Sequence, residues 1–102
     1  MQRTLIKDTM ENIGKTVIVS GWVNARRDHG KIAFLDLRDR SGILQVVCTA
    51  EMIGGAKDEY VLEIEGLVKQ RPEKMTNPNI ITGTVELEAK NIKVLAKAET
   101  LP

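Results

Sequence analysis

Apolar residues recur at every second position along most of this chain, in five separate runs. No other feature limits its fold so strongly. A period of two puts successive side chains on opposite faces of a strand, one dry and one wet. Val17, Val19 and Val23 share a face, with Gly21 between them where a strand can bend or bulge. Ala33, Leu35 and Leu37 share another, and Ile32, Phe34, Asp36 and Arg38 lie opposite them. Leu44, Val46 and Cys48 alternate with Ile43, Gln45 and Val47. Tyr60, Leu62, Ile64 and Val68 alternate with Glu63, Glu65 and Lys69. In the last run Val85, Leu87 and Ala89 alternate with Thr84, Glu86 and Glu88, and Ile92, Val94 and Leu95 extend it.

The segments between the runs have turn chemistry. Asp28-His29-Gly30 and Asp39-Arg40-Ser41-Gly42 are short hairpin turns, so the first three strands form a meander. Thr49 to Gly55 opens as a capped helix and stops at two glycines, at most about two turns long. Arg71 to Thr82 contains Pro72, Pro78, Asn77 and Asn79 and is a loop. Its length, about a dozen residues, is at the upper edge for a plain connector and favours a functional loop. The N-terminal segment admits a short helix around Asp8 to Ile13, ended by Gly14. Three meander strands, a short helix and two more strands are the order of the OB-fold. That fold is an all-β, five-stranded Greek-key barrel that binds oligonucleotides or oligosaccharides on its strand 2–3 face and adjoining loops. Propensity alone also permits a small sandwich; the helix after strand three favours the barrel, and strand five is expected beside strand one.

The chain's 102 residues suit one domain with a single core. No apolar run approaches 18 residues and the start has no long apolar leader, so neither a membrane span nor a signal peptide is expected. The one cysteine, Cys48, cannot form an intrachain disulfide, which fits a reducing cytoplasm. One histidine and one cysteine leave no ligand set for a structural zinc. The net charge is +1, but residues 1–48 hold eight Lys/Arg against five Asp/Glu and residues 49–102 hold seven against nine. A mildly basic first half suits contact with a few phosphates, not coating of nucleic acid; a solvated strand edge kept soluble by charge accounts for it equally.

Phe34 is the sharpest observation, because alternation puts Leu35 and Leu37 inside and turns the ring out beside Asp36 and Arg38. An outward ring on strand two of such a barrel is a stacking platform for a base; a covering segment or a register slip would make it core instead. Gln45 faces out on the adjacent strand, where its amide can pair with a base edge or simply meet solvent. Glu86 faces out on strand five, and a carboxylate accepts from an exocyclic amino group while repelling phosphate. Arg26 and Arg27 end strand one. Parity from Trp22 turns Arg26 outward, and a bulge at Gly21 would exchange the two. Trp22 reads as a partly buried packing residue with its N–H bonded locally, and His29 as an exposed loop-tip residue. With one histidine, a nucleophilic triad has no support, and Asp36 and Asp39 among arginines read as surface ion pairs.

These residues fall into words that belong together. Gly21-Trp22-Val23-Asn24, Arg26-Arg27-Asp28-His29-Gly30, Phe34-Leu35-Asp36-Leu37-Arg38-Asp39-Arg40-Ser41-Gly42 and Gln45-Val46-Val47 closely resemble the N-terminal anticodon-binding domain of bacterial-type aspartyl-tRNA synthetases. The likeness continues through Arg71-Pro72-Glu73, Asn77-Pro78-Asn79, Thr82-Gly83 and Val85-Glu86 to Leu101-Pro102, where that domain ends. The resemblance implies that Phe34 stacks the central uridine of a GUC anticodon. It implies that Arg27, Gln45 and Glu86 read bases, with Arg26, Lys31, Arg71 and Asn77 as further RNA contacts. It implies tRNA-Asp as partner, and a parent enzyme, dimeric and cytoplasmic, that uses ATP, Mg²⁺ and aspartate. The class II catalytic domain has no room in 102 residues, so this chain alone is expected to recognise RNA without catalysis or a cofactor of its own. Thr84 stands where the family usually has an acid, and the segment after Cys48 is shorter than in many relatives. In the family, the residue after Asp28 and the loop near Lys74 bear on tolerance of tRNA-Asn, and here His29 leans permissive while Lys74 leans strict. The rival expectations are an unselective single-strand-binding OB protein and a structural barrel that docks a protein.

Overall fold

A computed structural model describes residues 3–80 and 82–97; Leu101 and Pro102 lie outside the described residues. Five strands, β1 (Thr16–His29), β2 (Ile32–Asp39), β3 (Gly42–Thr49), β4 (Val61–Gln70) and β5 (Val85–Ala96), form a closed barrel in the order β1-β2-β3-β5-β4. A short helix, α1 (Ala50–Ile53), follows β3. This is the OB barrel the alternation predicts. Inward positions carry Val19, Val23, Leu35, Leu37, Leu44, Val46, Leu62, Ile64, Val85 and Leu87, all fully buried. Alternation therefore fixes which face of each strand is dry, and burying that aliphatic set is what drives closure.

Strand five does not lie beside strand one. It sits between β3 and β4, antiparallel to β4 and joined to β3 by a short parallel pairing, Val46 to Leu87 and Val47 to Glu88. The reason is the length of β1. Its first half pairs with β4 from Thr16 to Trp22 and its second half with β2 from Trp22 to His29, so β1 itself links β2 to β4 and β5 closes the barrel between β4 and β3. At the change-over Gly21 packs so closely that a Cβ there would lie 2.3 Å from the Arg38 carbonyl oxygen. Only glycine lets the long strand bend across two neighbours at that point.

The N-terminal turn is tighter and earlier than the expected helix, a six-residue 3-10 segment at Ile6–Glu11. It is held from outside as much as from within. Ile6 is fully buried, its N–H donates to Asp39 Oδ2 (2.9 Å), and the Lys7 N–H donates to Ser41 Oγ (3.0 Å). This tether to the β2–β3 hairpin sets the start of the turn, where propensity alone does not reach. The helix after β3 forms as expected: the Met52 N–H donates to Thr49 Oγ1 (3.1 Å), and Gly54 ends it at φ +52°. Between β4 and β5, Glu73–Met75 makes one 3-10 turn within the long loop.

Candidate nucleic-acid interface

The decisive local event is a bulge in β1. Pairing with β2 runs Trp22 to Arg38 and Val23 to Leu37, then resumes with Ala25 to Asp36, so Asn24 is the extra residue. The slip reverses parity beyond it. Arg27 now faces outward opposite Phe34, and Arg26 pairs with inward-facing Leu35. The exchange anticipated at Gly21 occurs, three residues later. Arg26 is spent inside the fold. It donates to the carbonyls of Gly54 (2.9 Å) and Ala56 (2.6 Å) and to Asp28 Oδ1 (3.0 Å), tying the turn after α1 to the end of the barrel.

On the outer face, Phe34 is half-buried and lines an open groove. His29 and Phe34 meet in a T-shaped pair, centroids 5.4 Å apart and planes at 82°, a favoured geometry for two rings. Around the ring lies an open groove of about 490 Å³ lined by Arg27, His29, Ile32, Phe34, Gln45, Arg71 and Met75. Arg27 makes two parallel hydrogen bonds to Asp36, each 3.0 Å. Those bonds raise the guanidinium pKa above its ordinary value against the opposing effect of burial. Gln45 Nε2 donates to Glu86 Oε2 (3.3 Å). Glu86 itself lines an adjoining depression of about 340 Å³, with Ile32, Val47, Thr49, Met52, Lys69 and Glu88. Ile32, 48% exposed, is the ridge shared by the two hollows.

The eight expected contact residues therefore divide. Phe34, Arg27, Gln45 and Arg71 converge on one groove, and Glu86 reaches it through Gln45. Arg71 is held by its N–H to the Thr84 carbonyl (2.8 Å), and its buried Nε has no partner among the described residues. Arg26, Lys31 and Asn77 stand elsewhere. Lys31 lies by Gly30, Thr49, Ala50 and Glu51. Asn77 shapes its own loop, accepting from the Asn79 N–H (3.0 Å) and donating its N–H to the Gly83 carbonyl (3.0 Å). Trp22 lies outward opposite Arg38, 36% exposed, in a separate hollow with Arg3 and Arg40, and no hydrogen bond from its ring N–H occurs among the described residues.

Three lining residues are not among the RNA contacts expected from the sequence. Ile32 has the same parity as Phe34, so the signal existed, but an aliphatic residue on a strand passes for core. His29 reads as a loop-tip residue that the resemblance links only to tolerance of tRNA-Asn, and its edge contact with Phe34 has no signal in the sequence. Met75, 58% exposed, is placed only by the conformation of the 71–82 loop, for which no local pattern exists. Cys48 offers no chemistry here: it is buried, its thiol bonds the Ala33 carbonyl, and burial pushes its pKa up to about 11.

Comparison with known proteins bears on this surface. Residues 17–95 match the family model for tRNA-anticodon OB-fold nucleic acid binding domains. The chain is 47% identical over 100 residues to an aspartate–tRNA(Asp/Asn) ligase of Caldanaerobacter subterraneus subsp. tengcongensis, an alignment covering 91% of this chain and 17% of that protein. It superposes with a TM-score of 0.85 on a protein assigned as an aspartyl-tRNA synthetase in Leishmania major, at 25% identity over 98% of this chain and 22% of the other. The aspartyl-tRNA synthetase of Entamoeba histolytica shares the fold at a TM-score of 0.84, with 24% identity over 100% of this chain and 23% of the other. The chain thus spans about a sixth of the length of the curated relative.

Proposed function

Since the chain belongs to the tRNA-anticodon family of OB-fold nucleic acid binding domains, we propose that it is the anticodon-reading part of an aspartate–tRNA ligase. One observation carries the reading. A ring, a guanidinium and a carboxamide from three adjacent strands open onto a single groove, with a second arginine from the loop above. Phe34 stacks the central base of the GUC triplet, worth roughly 1–3 kcal/mol. Gln45 offers a donor and an acceptor to a base edge, and Arg27 keeps donors beyond those given to Asp36. Glu86 accepts from an exocyclic amino group of the neighbouring base, which lies across the Ile32 ridge in the adjoining depression. Arg71 closes the groove from the loop side.

In this reading RNA recognition is the whole task of these residues. ATP, Mg²⁺ and aspartate are handled by a class II catalytic domain of a longer, dimeric, cytoplasmic protein, and the partner is tRNA-Asp. The test is a titration of an anticodon stem-loop bearing GUC against loops of scrambled sequence. We expect the GUC loop to bind at least tenfold more tightly. Equal affinities would leave an unselective single-strand binder, and no binding of either RNA at low salt would leave a barrel that docks a protein.

A further inference from the structure

Two polar donors on the strand side of the groove are each met by a carboxylate. Arg27 is gripped by Asp36 and Gln45 touches Glu86, and in the adjoining depression Lys69 pairs with Glu88. Of the groove's two arginines, only Arg71, on the loop side, has no ion pair among the described residues, while Lys31, Arg38 and Arg40, also without one, stand outside the groove. Polyanion binding alone would be better served by a bare cation directly beside Phe34, where Arg27 is instead neutralised. We infer that Asp36 is a specificity-determining positioning residue. It holds the Arg27 guanidinium beside Phe34 for a base and cancels the charge that would otherwise draw a phosphate to that side of the groove.

The geometry gives both parts. Arg27 lies directly across from Phe34, and Asp36 is the next residue on the same face of β2, about 7 Å along the strand. Two parallel bonds from Nη1 and Nη2 fix the plane of the guanidinium, as one bond would not. Three of its five N–H donors remain for a ligand. A base edge can use those donors without displacing Asp36. A phosphate must compete with the carboxylate for the fork and approach its negative charge. The pair therefore penalises backbone binding in the groove more than base binding.

This inference rests on the RNA-binding reading above, and its test separates the two. The 102-residue chain and its Asp36→Asn variant are titrated with the GUC stem-loop and with a scrambled loop, each between 50 and 200 mM salt. Asparagine keeps one acceptor and the shape but frees the charge of Arg27. For Asp36→Asn we expect the scrambled loop to bind several-fold more tightly at low salt and the preference for GUC to shrink. The slope of log K against log salt should steepen by about 0.7, one added phosphate, or about 2–3-fold in affinity across that range. In Arg27→Gln/Asp36→Asn the steepening should vanish, which a general loosening of the fold would not reproduce. Equal weakening of both loops with an unchanged slope would show Asp36 to be merely structural and overturn the inference. The ratio of the two loops for the unaltered chain tests the reading; the change in slope tests Asp36, so either can fail alone.

Discussion

The two faces of the β1–β2 ribbon are built from alternate residues of the same strands, yet they obey different rules. Inside, Val23, Leu37, Leu35 and Ala33 are fully buried and interlock with aliphatic partners from the other strands. Outside, Arg27, Phe34, Asp36 and, beyond the bulge, Trp22 and Arg38 meet solvent and each other. The inner face is interchangeable in kind, because packing asks only for apolar volume of the right size. The outer face is particular, because a ring, a fork and an amide act only at their own positions. Stability should therefore follow the inner set and RNA binding the outer set, residue by adjacent residue.

Leu35 and Phe34 give that comparison its hardest trial. Leu35→Ala should cost about 2–5 kcal/mol of unfolding free energy, as deletion of a fully buried side chain does. Phe34→Ala should leave the thermal midpoint near its original value and weaken the GUC stem-loop by about 1–3 kcal/mol. Denaturant melts and RNA titrations of the two variants check both. A collapse of the Phe34→Ala fold would make the ring core and erase the distinction.

Arg26 and Arg27 sharpen it at neighbouring positions. Arg26 spends its guanidinium on two backbone carbonyls and Asp28, so Arg26→Ala should cost about 1.5–3 kcal/mol of stability without changing the preference among loops. Arg27→Ala should do the reverse, lowering affinity and selectivity with little change in stability. If both variants lose selectivity alike, the bulge at Asn24 does not divide the two roles.

How much of this was legible follows the same division. The inner face was readable from the sequence because burial repeats: Leu35, Leu37, Leu44 and Val46 each confirm the parity of the next. Phe34 and Gln45 were readable as the complement of that pattern. Arg26 and Arg27 could not be ordered, because a single inserted residue reverses the assignment and Asn24 carries no local mark of a bulge. The place of β5 was misjudged because pairing across a barrel depends on how far β1 extends, a property of the whole sheet. Met75 comes from a loop whose shape is set by contacts such as the Arg71 N–H to the Thr84 carbonyl, far from any periodicity, whereas Arg71 itself is expected from the family resemblance.

Asp39 tests whether the hairpin end of the ribbon belongs with the inner set. Burial pushes its carboxyl up, but bonds from the Ser41 hydroxyl and the Ile6, Ser41 and Gly42 N–H groups outweigh that and hold it below the usual carboxylate range. A folded pKa below the unfolded one adds stability that is present above the unfolded value and lost as pH falls through the folded one. Asp39→Ala should therefore cost about 1–3 kcal/mol at neutral pH, and its gap from the unaltered chain should narrow as acid is added below pH ~4. A gap that stays constant with pH would mean that the ionised carboxylate is not what ties the N-terminal turn to the hairpin. RNA selectivity should not move.

Lys31 is the smallest effect and bears on the outer set alone. It lies near the groove in sequence but outside it in space, beside Ala50 and Glu51, with no ion pair among the described residues. An ammonium so placed can reach a phosphate of an RNA seated in the groove, and it has no route to a base edge there. Lys31→Ala should then weaken every loop by the same small factor and flatten the salt slope by about 0.7, the share of one phosphate. Its signature is the mirror image of that for Asp36→Asn, a shallower slope with the preference for GUC intact. Should Lys31→Ala change the ranking of the loops, Lys31 would itself read a base, and the discriminating residues would extend past Phe34 and Glu86 to the hollow beside Ala50 and Glu51.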